Sequence, residues 1–352
     1  MMVYATIYAV SAAIAMANLW KPFTPWWRLA IALVIPLSLF VGFRYVIGVD
    51  WLTYEIIFLD IYRSDLAWSL TYGDSAYSLI NWLVGRLGGQ VWHVNLICAA
   101  IFSAGLAAFC NVQRLPALAF AVLIPALVYI TAMGYTRQAT AIGCVMMAYA
   151  LFRNSIDWRW LSLLVIATLF HKSAIIAFPL FIMSGSQNRW ATYLIGGAMA
   201  GLLALTVVSN NLSDVLSLYF EGDLESSGTL PRLAIGAFSG LAFFLVRKPH
   251  EVFSPHDRLL RNAAVVTLVL LPAYFLIPST TFVDRIGVLM IPFQGAILSG
   301  LIYSMSSHPT LQALLKATIL ALYGLTLAVW LLYATFVRFW VPYNNVLFEK
   351  WV

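Results

Sequence analysis

Charged and titratable side chains are scarce in this chain, and those able to do chemistry fall at a few points between apolar runs. The stretch Arg44 to Tyr54 holds a cation and a carboxylate on either side of Gly48, which permits a turn that can bring Arg44 and Asp50 together. Gly134-Tyr-Thr-Arg-Gln138 reads as a tight turn between two apolar runs, after which Arg137 and Gln138 open a helix. A cation at a helix N-terminus opposes the helix dipole unless an anion is near, and the same terminus attracts anions. Arg137 is therefore the best candidate for holding a phosphate, with a snorkelling side chain as the alternative. Phe170-His-Lys-Ser173 sets an imidazole and an ammonium inside an apolar stretch, where burial is costly without partners or a polar cavity. Imidazole exchanges protons near neutral pH and suits a general base, and Ser173 can cap a second half-helix. Asp284-Arg285 begins another apolar run, as a local ion pair or, in a polar cavity, with the arginine on an anion.

The elements that must position these groups follow from composition. Of 352 residues 62% are hydrophobic and 10% charged, against roughly a quarter charged in an ordinary soluble domain. No soluble core could hide that apolar surface, and no polar linker interrupts it, so the chain reads as one integral membrane domain, 1–352. The net charge of +6 is spread singly between apolar stretches, without a basic run interleaved with aromatics, which argues against nucleic acid. Cys98, Cys110 and Cys144 all lie in apolar runs without a CxxC pair, and read as small buried hydrophobes. No carboxylate cluster or HExxH spacing suggests a metal, so neither metal nor cofactor is expected.

Crossing hydrocarbon takes ~20 apolar residues as a helix. That ruler predicts spans near Val3 to Leu19, Trp27 to Phe43, Val91 to Asn111, Leu115 to Met133, Tyr135 to Phe152, Trp190 to Val208, Arg232 to Val246, Leu260 to Pro278, Ile286 to Ser304 and Leu315 to Val337. The fold class is an all-α polytopic bundle of about ten to twelve membrane segments. Ser75 to Gly89 is amphipathic and suits the interface or a dip into the bundle; a competing count lets it span, which would place Arg153 and Arg159 outside. Trp160 to Ser184 is too long for one straight span and too short for two. The positive-inside rule puts Lys21, Arg28, Arg114, Arg153, Arg159, Arg189 and the group Arg247 to Arg261 in the cytoplasm, and the acidic stretch 209–231 outside. All these placements agree only if Trp160 to Ser184 enters and leaves on the cytoplasmic side as a broken hairpin turning at His171. The outward face, with loop 44–90, then gathers Arg44, Asp50, Arg63, Arg86, Arg137, Gln138, His171, Lys172, Asp284 and Arg285.

This ordered set resembles the EpsG family of Wzy-like exopolysaccharide and O-antigen polymerases. The resemblance rests on Arg44-x-x-x-Gly48-x-Asp50-x-x-x-Tyr54, the amphipathic Ala76 to Gly88 segment, Arg137-Gln138-x-x-Ala141, Phe170-His171-Lys172-Ser173-Ala174, and Arg285 opening a late span. It implies a multi-pass enzyme of the bacterial inner membrane with its site facing the periplasm or outside. Such an enzyme moves a growing glycan from one undecaprenyl diphosphate to the sugar end of another lipid-linked repeat unit. Its partners would be those lipid-linked oligosaccharides, membrane lipid and a chain-length regulator.

That chemistry needs cations for two diphosphates and a base for the attacking sugar hydroxyl. Arg137, Arg285 and Arg44, supported by Lys172, fit the first need. His171 or Asp50 fits the second, with His171 the first choice, while Gln138 and Tyr54 suit sugar hydrogen bonds. A flippase of lipid-linked sugars would also use outward cations and broken helices, but predicts charged or interrupted segments repeated in two halves, and no such symmetry is visible. A membrane ligase or acyltransferase using His171 would differ in its donor or acceptor.

Overall fold

The computed structural model describes residues 1–185, 228–277 and 280–348. The expected span Trp190 to Val208, Arg189 and nearly all of the acidic stretch 209–231 lie outside the described residues. The described chain is α-helical, with no strand. Its helices are α1 (Met2–Met16), α2 (Trp26–Gly42), α3 (Trp51–Arg63), α4 (Leu66–Thr71), α5 (Ser75–Arg86), α6 (Val91–Asn111) and α7 (Pro116–Ala132). They continue with α8 (Thr136–Leu151), α9 (Trp158–Phe170), α10 (Lys172–Gly185), α11 (Thr229–Phe244), α12 (Pro249–Phe253), α13 (Asp257–Leu276), α14 (Thr280–Ser304) and α15 (Pro309–Tyr333). Among the described residues, α6, α13, the Phe282–Ser304 part of α14, and α15 are long and apolar enough to cross a membrane, and six shorter apolar helices accompany them. The chain is thus a multi-pass membrane protein with an all-α bundle, as expected.

Two of the apolar helices contain a π-helical turn beside a proline. Pro36 follows the wide turn Ala30–Val34 in α2, and Pro125 lies in the turn Ile124–Ala132 of α7. Proline has no N–H and its ring crowds the carbonyl four residues back, so the ladder locally shifts to a wider hydrogen-bond spacing. At the centre, α6 and α8 meet backbone to backbone. A Cβ at Gly143 would lie 2.7 Å from the Phe102 Cα, so the small residues following Arg137 permit an approach that any larger residue would block.

The stretch 44–90, expected as a loop carrying one amphipathic segment from Ser75, holds three helices. In α3 the buried residues Trp51, Tyr54, Phe58 and Ile61 recur at helical spacing, while Leu52, Ile56 and Leu59 form an exposed apolar stripe. Such a helix suits the membrane interface. The amphipathic α5 packs against it, with the Tyr54 and Tyr77 rings 5.7 Å apart.

The broken hairpin is observed. Helix α9 stops at His171, whose backbone is extended, and α10 begins as a 3-10 turn at Lys172. The chain then returns on itself: Gly185, at the end of α10, abuts the Ser155 carbonyl just before α9, and the Trp160 and Phe181 rings lie 5.6 Å apart. Entry and exit therefore share one end of the bundle, and His171 sits at the opposite tip. The entry end also collects the basic loops. Arg114 donates to the carbonyls of Glu251 and Val252, and Asn154 donates to Asp257.

Candidate functional site

Helix α8 starts directly after Tyr135, and its first turn presents Arg137 and Gln138. The Arg137 Nη1 lies 2.9 Å from the Asp74 Oδ2, and its guanidinium rests 5.9 Å and 6.0 Å from the ring centres of Tyr54 and Tyr77. Asp74 is 8% exposed and sits immediately before α5. Lys172, at the tip of the broken hairpin, also bears electrostatically on it. One carboxylate thereby ties the start of α8 to the start of α5, within electrostatic reach of the hairpin tip.

At that tip the His171 Nδ1 accepts the Ser173 backbone N–H at 3.2 Å, capping the 3-10 turn, and the Ser173 hydroxyl lies 3.3 Å away. Arg285, Arg137 and Lys172 all bear electrostatically on this imidazole. The three cations and His171, separated by up to 148 positions in sequence, therefore share one end of the bundle rather than facing opposite leaflets. Arg285 lies in the second turn of α14 beside Asp284, which is paired with Arg232 of α11. The bonding partner of Asp284 is thus a residue on another helix, not only its neighbour in sequence. Half-buried Tyr135 feels Arg232, Asp50 and Asp284, which places the Arg232–Asp284 pair beside the same region.

Asp50 precedes α3 and is half-buried. Burial raises its pKa above the ordinary carboxylate value, with Arg137 opposing that rise. Asp74 is raised in the same way, again against the pull of Arg137 and Lys172. Tyr54 is 3% exposed and lies against Arg137 rather than open to solvent, and Gln138 is buried with its amide nitrogen unpartnered among the described residues.

Arg44 departs from expectation. Gly48 does adopt a left-handed conformation, φ +102°, but the turn directs Arg44 and Asp50 to different neighbours. Arg44 is 1% exposed; its Nη1 donates to the Val41 carbonyl at 2.7 Å and its Nη2 to the Thr136 hydroxyl at 2.6 Å. Thr136 in turn donates to Asn95, and the packing around these groups leaves no water-sized space. The guanidinium lies among residues of α6, α7 and α8, Asn95, Ala132 and Thr136 among them, while the C-terminal segment pairs with the backbone around it. Asn344 and Asn345 lie along Tyr45 and Arg44, Val346 bonds to the Phe43 carbonyl, and Phe339 accepts from Gly48, so the tail covers the extended segment that follows α2. Arg63 and Arg86 lie elsewhere: Arg86 donates to the Ser64 carbonyl and stacks on Trp82, and Arg63 lies over Tyr62.

Asp74, Tyr77 and Arg232 were not singled out in the sequence. Only Asp74 left a local trace, as an acidic residue after Gly73 and before an amphipathic run, the pattern of a helix N-terminus. Among the described residues no three His, Cys, Asp or Glu side chains converge to hold a metal ion.

Fold and site together define a multi-pass membrane protein with a cationic, imidazole-bearing cluster at one end of its bundle. The EpsG family matches residues 27–345, and the chain belongs to that family. The match takes in the tail that lies along Arg44 as well as the Arg137 and His171 segments. Comparison with curated proteins and with solved structures finds no match. Family membership fits a polysaccharide polymerase, acting by glycosyl transfer, in general terms.

Proposed function

We propose that this protein polymerises a polysaccharide at the outer face of the bacterial inner membrane, passing the growing glycan from one undecaprenyl diphosphate to the terminal sugar of another lipid-linked repeat unit. The observation carrying this reading is the joint electrostatic reach of Arg285, Arg137 and Lys172 on His171 at the tip of the hairpin. Glycan transfer from a diphosphate lipid develops negative charge on the leaving group, and fixed cations lower that barrier. The acceptor hydroxyl oxygen attacks the anomeric carbon, the bond to the diphosphate oxygen breaks, and the hydroxyl proton passes to a base.

The capping bond of Ser173 bears on which residue is that base. An Nδ1 that accepts a backbone N–H carries no proton, so a neutral His171 carries its proton on Nε2 and acts as a donor. That favours His171 as a donor to the diphosphate. Asp50 then takes the base role, and its raised pKa strengthens it as a proton acceptor. Arg137, Arg285 and Lys172 hold diphosphate. Gln138, with its buried unpartnered amide, supplies a sugar contact, and Tyr54 orients the Arg137 guanidinium. Arg44 acts as a positioning residue that ties the end of α2 to Thr136 at the start of α8.

Arg137→Ala and His171→Ala, introduced into the natural host, are expected to shorten the polymer to single repeat units while the protein remains in the membrane. Normal chain length in both variants would overturn the reading.

A further inference from the structure

A cavity of about 250 Å³ lies at the opposite, basic end of the bundle. Arg153, which lines it, follows the C-terminus of α8, so the length of that helix, ~24 Å, separates the cavity from Arg137. Arg114 and Arg153 both line it, and no carboxylate among the described residues does. Arg114 donates to the Val252 and Glu251 carbonyls, both at 3.0 Å, and lies 5.2 Å from the Tyr303 ring centre. Arg153 donates to the Ala150 and Phe152 carbonyls at 2.9 Å and 2.8 Å. These acceptors fix the arginines without neutralising them, and each guanidinium has five N–H donors to share.

The inner wall adds a second observation. Ser299 is 1% exposed, and its hydroxyl has no partner among the described residues. A buried hydroxyl left unpaired is uncommon in native structures and points to a polar group that the protein does not itself provide. His256, 5% exposed, donates from Nε2 to the Tyr149 carbonyl at 2.8 Å. Burial lowers its pKa to about 4, so it is neutral at neutral pH and its Nδ1 is an acceptor. The neighbouring Asp257 carboxylate is engaged by Asn154 and His250, each at 3.4 Å.

Two guanidiniums, a buried hydroxyl and a neutral acceptor match a phosphate ester with a hydroxyl alongside it. Phe23, 74% exposed, lines the cavity and the exposed Trp26 and Trp27 follow, aromatic residues of the kind enriched at a membrane interface. We infer that this cavity is a phosphate-binding site, gripped by Arg114 and Arg153 with Ser299 behind the anion, and open to the leaflet at the basic end.

The test uses the full chain in nanodiscs of phosphatidylcholine, with phosphatidylglycerol added in steps in one arm and inorganic phosphate in the other. Thermal unfolding is followed in both. A rise in Tm with phosphatidylglycerol alone identifies a lipid headgroup, and a rise with both probes identifies any accessible phosphate; either supports the site. The double variant Arg114→Gln with Arg153→Gln should lose the rise, and Arg258→Gln, on an exposed residue outside the cavity, should keep it. Ser299→Ala should weaken the response about threefold to tenfold, and serves alone if the double variant does not reach the membrane. No rise in either arm overturns the inference, as does a response in the cavity variants equal to that of the parent protein.

Discussion

The two ends of this bundle both carry arginines, but they satisfy them differently. At the hairpin tip, Arg137 and Arg232 are paired with the carboxylates Asp74 and Asp284, and aromatic rings wall the first of these pairs. At the basic end, Arg114 and Arg153 are exposed and donate to backbone carbonyls. The contrast separates two uses of positive charge. A cation held by a carboxylate within a half-buried cluster has a fixed geometry, as a site for a leaving diphosphate requires. A cation on backbone carbonyls at a bundle end retains its charge for orientation in the membrane and for anions at the surface.

Substitutions break or sharpen this contrast. The largest effect is expected from Asp50→Asn, which removes the proposed proton acceptor and should slow in vitro elongation of a purified lipid-linked repeat by about 10² to 10⁴. Elongation within twofold of the parent would return the base role to His171. With Asp50 intact, elongation should fall as pH drops through a pKa above the usual 3.8, because burial favours the neutral carboxyl. Folding responds with the opposite sign. The folded chain binds this proton more tightly than the unfolded one, so the group favours the fold below its unfolded pKa and withdraws that support as pH rises. A pH–rate profile of the parent against residual Asp50→Asn activity checks the point, since the acid limb should vanish in the variant.

Asp74→Asn should come next. It weakens the charge-assisted bond to Arg137 and removes the negative charge that faces Lys172, and a loss of about 1.5–3 kcal/mol corresponds to roughly tenfold to a hundredfold in elongation. A comparable loss in Arg137→Ala, with little further loss in the Asp74→Asn, Arg137→Ala double variant, would mark the pair as one unit. Arg258→Gln at the basic end should leave elongation within about twofold, as an exposed charge far from the cluster. A large loss there would end the division of labour between the two ends.

A different class of variant tests the scaffold. Gly143→Leu places a side chain where the Phe102 Cα stands 2.7 Å from the Cβ position. It should prevent the protein from accumulating in the membrane, read by immunoblot of membrane fractions, because two backbones rather than two flexible side chains would have to part.

Much of the fold was legible because hydrocarbon imposes strong local rules. The apolar runs give the helices, and the placement of lysine and arginine requires the chain to turn back at His171, as α9 and α10 do. The helices α3 and α5 within the outward stretch follow a weaker amphipathic period, so the first was read as loop and the second as an interfacial segment. Arg137 was legible from its place at a helix start. Asp74 was not, since a single acid before an amphipathic run looks like any helix cap.

The sequence by itself determined that this chain lives in a membrane, where it is helical and where its helices break, because desolvation of the backbone leaves few alternatives at each position along the chain. Only the tertiary structure decided which charges meet. Asp74 reaches Arg137, Asp284 reaches Arg232, and Arg44 is held by the Val41 carbonyl and Thr136. Such pairings depend on how distant segments pack, and ion-pair attraction between segments leaves no period in the sequence to read.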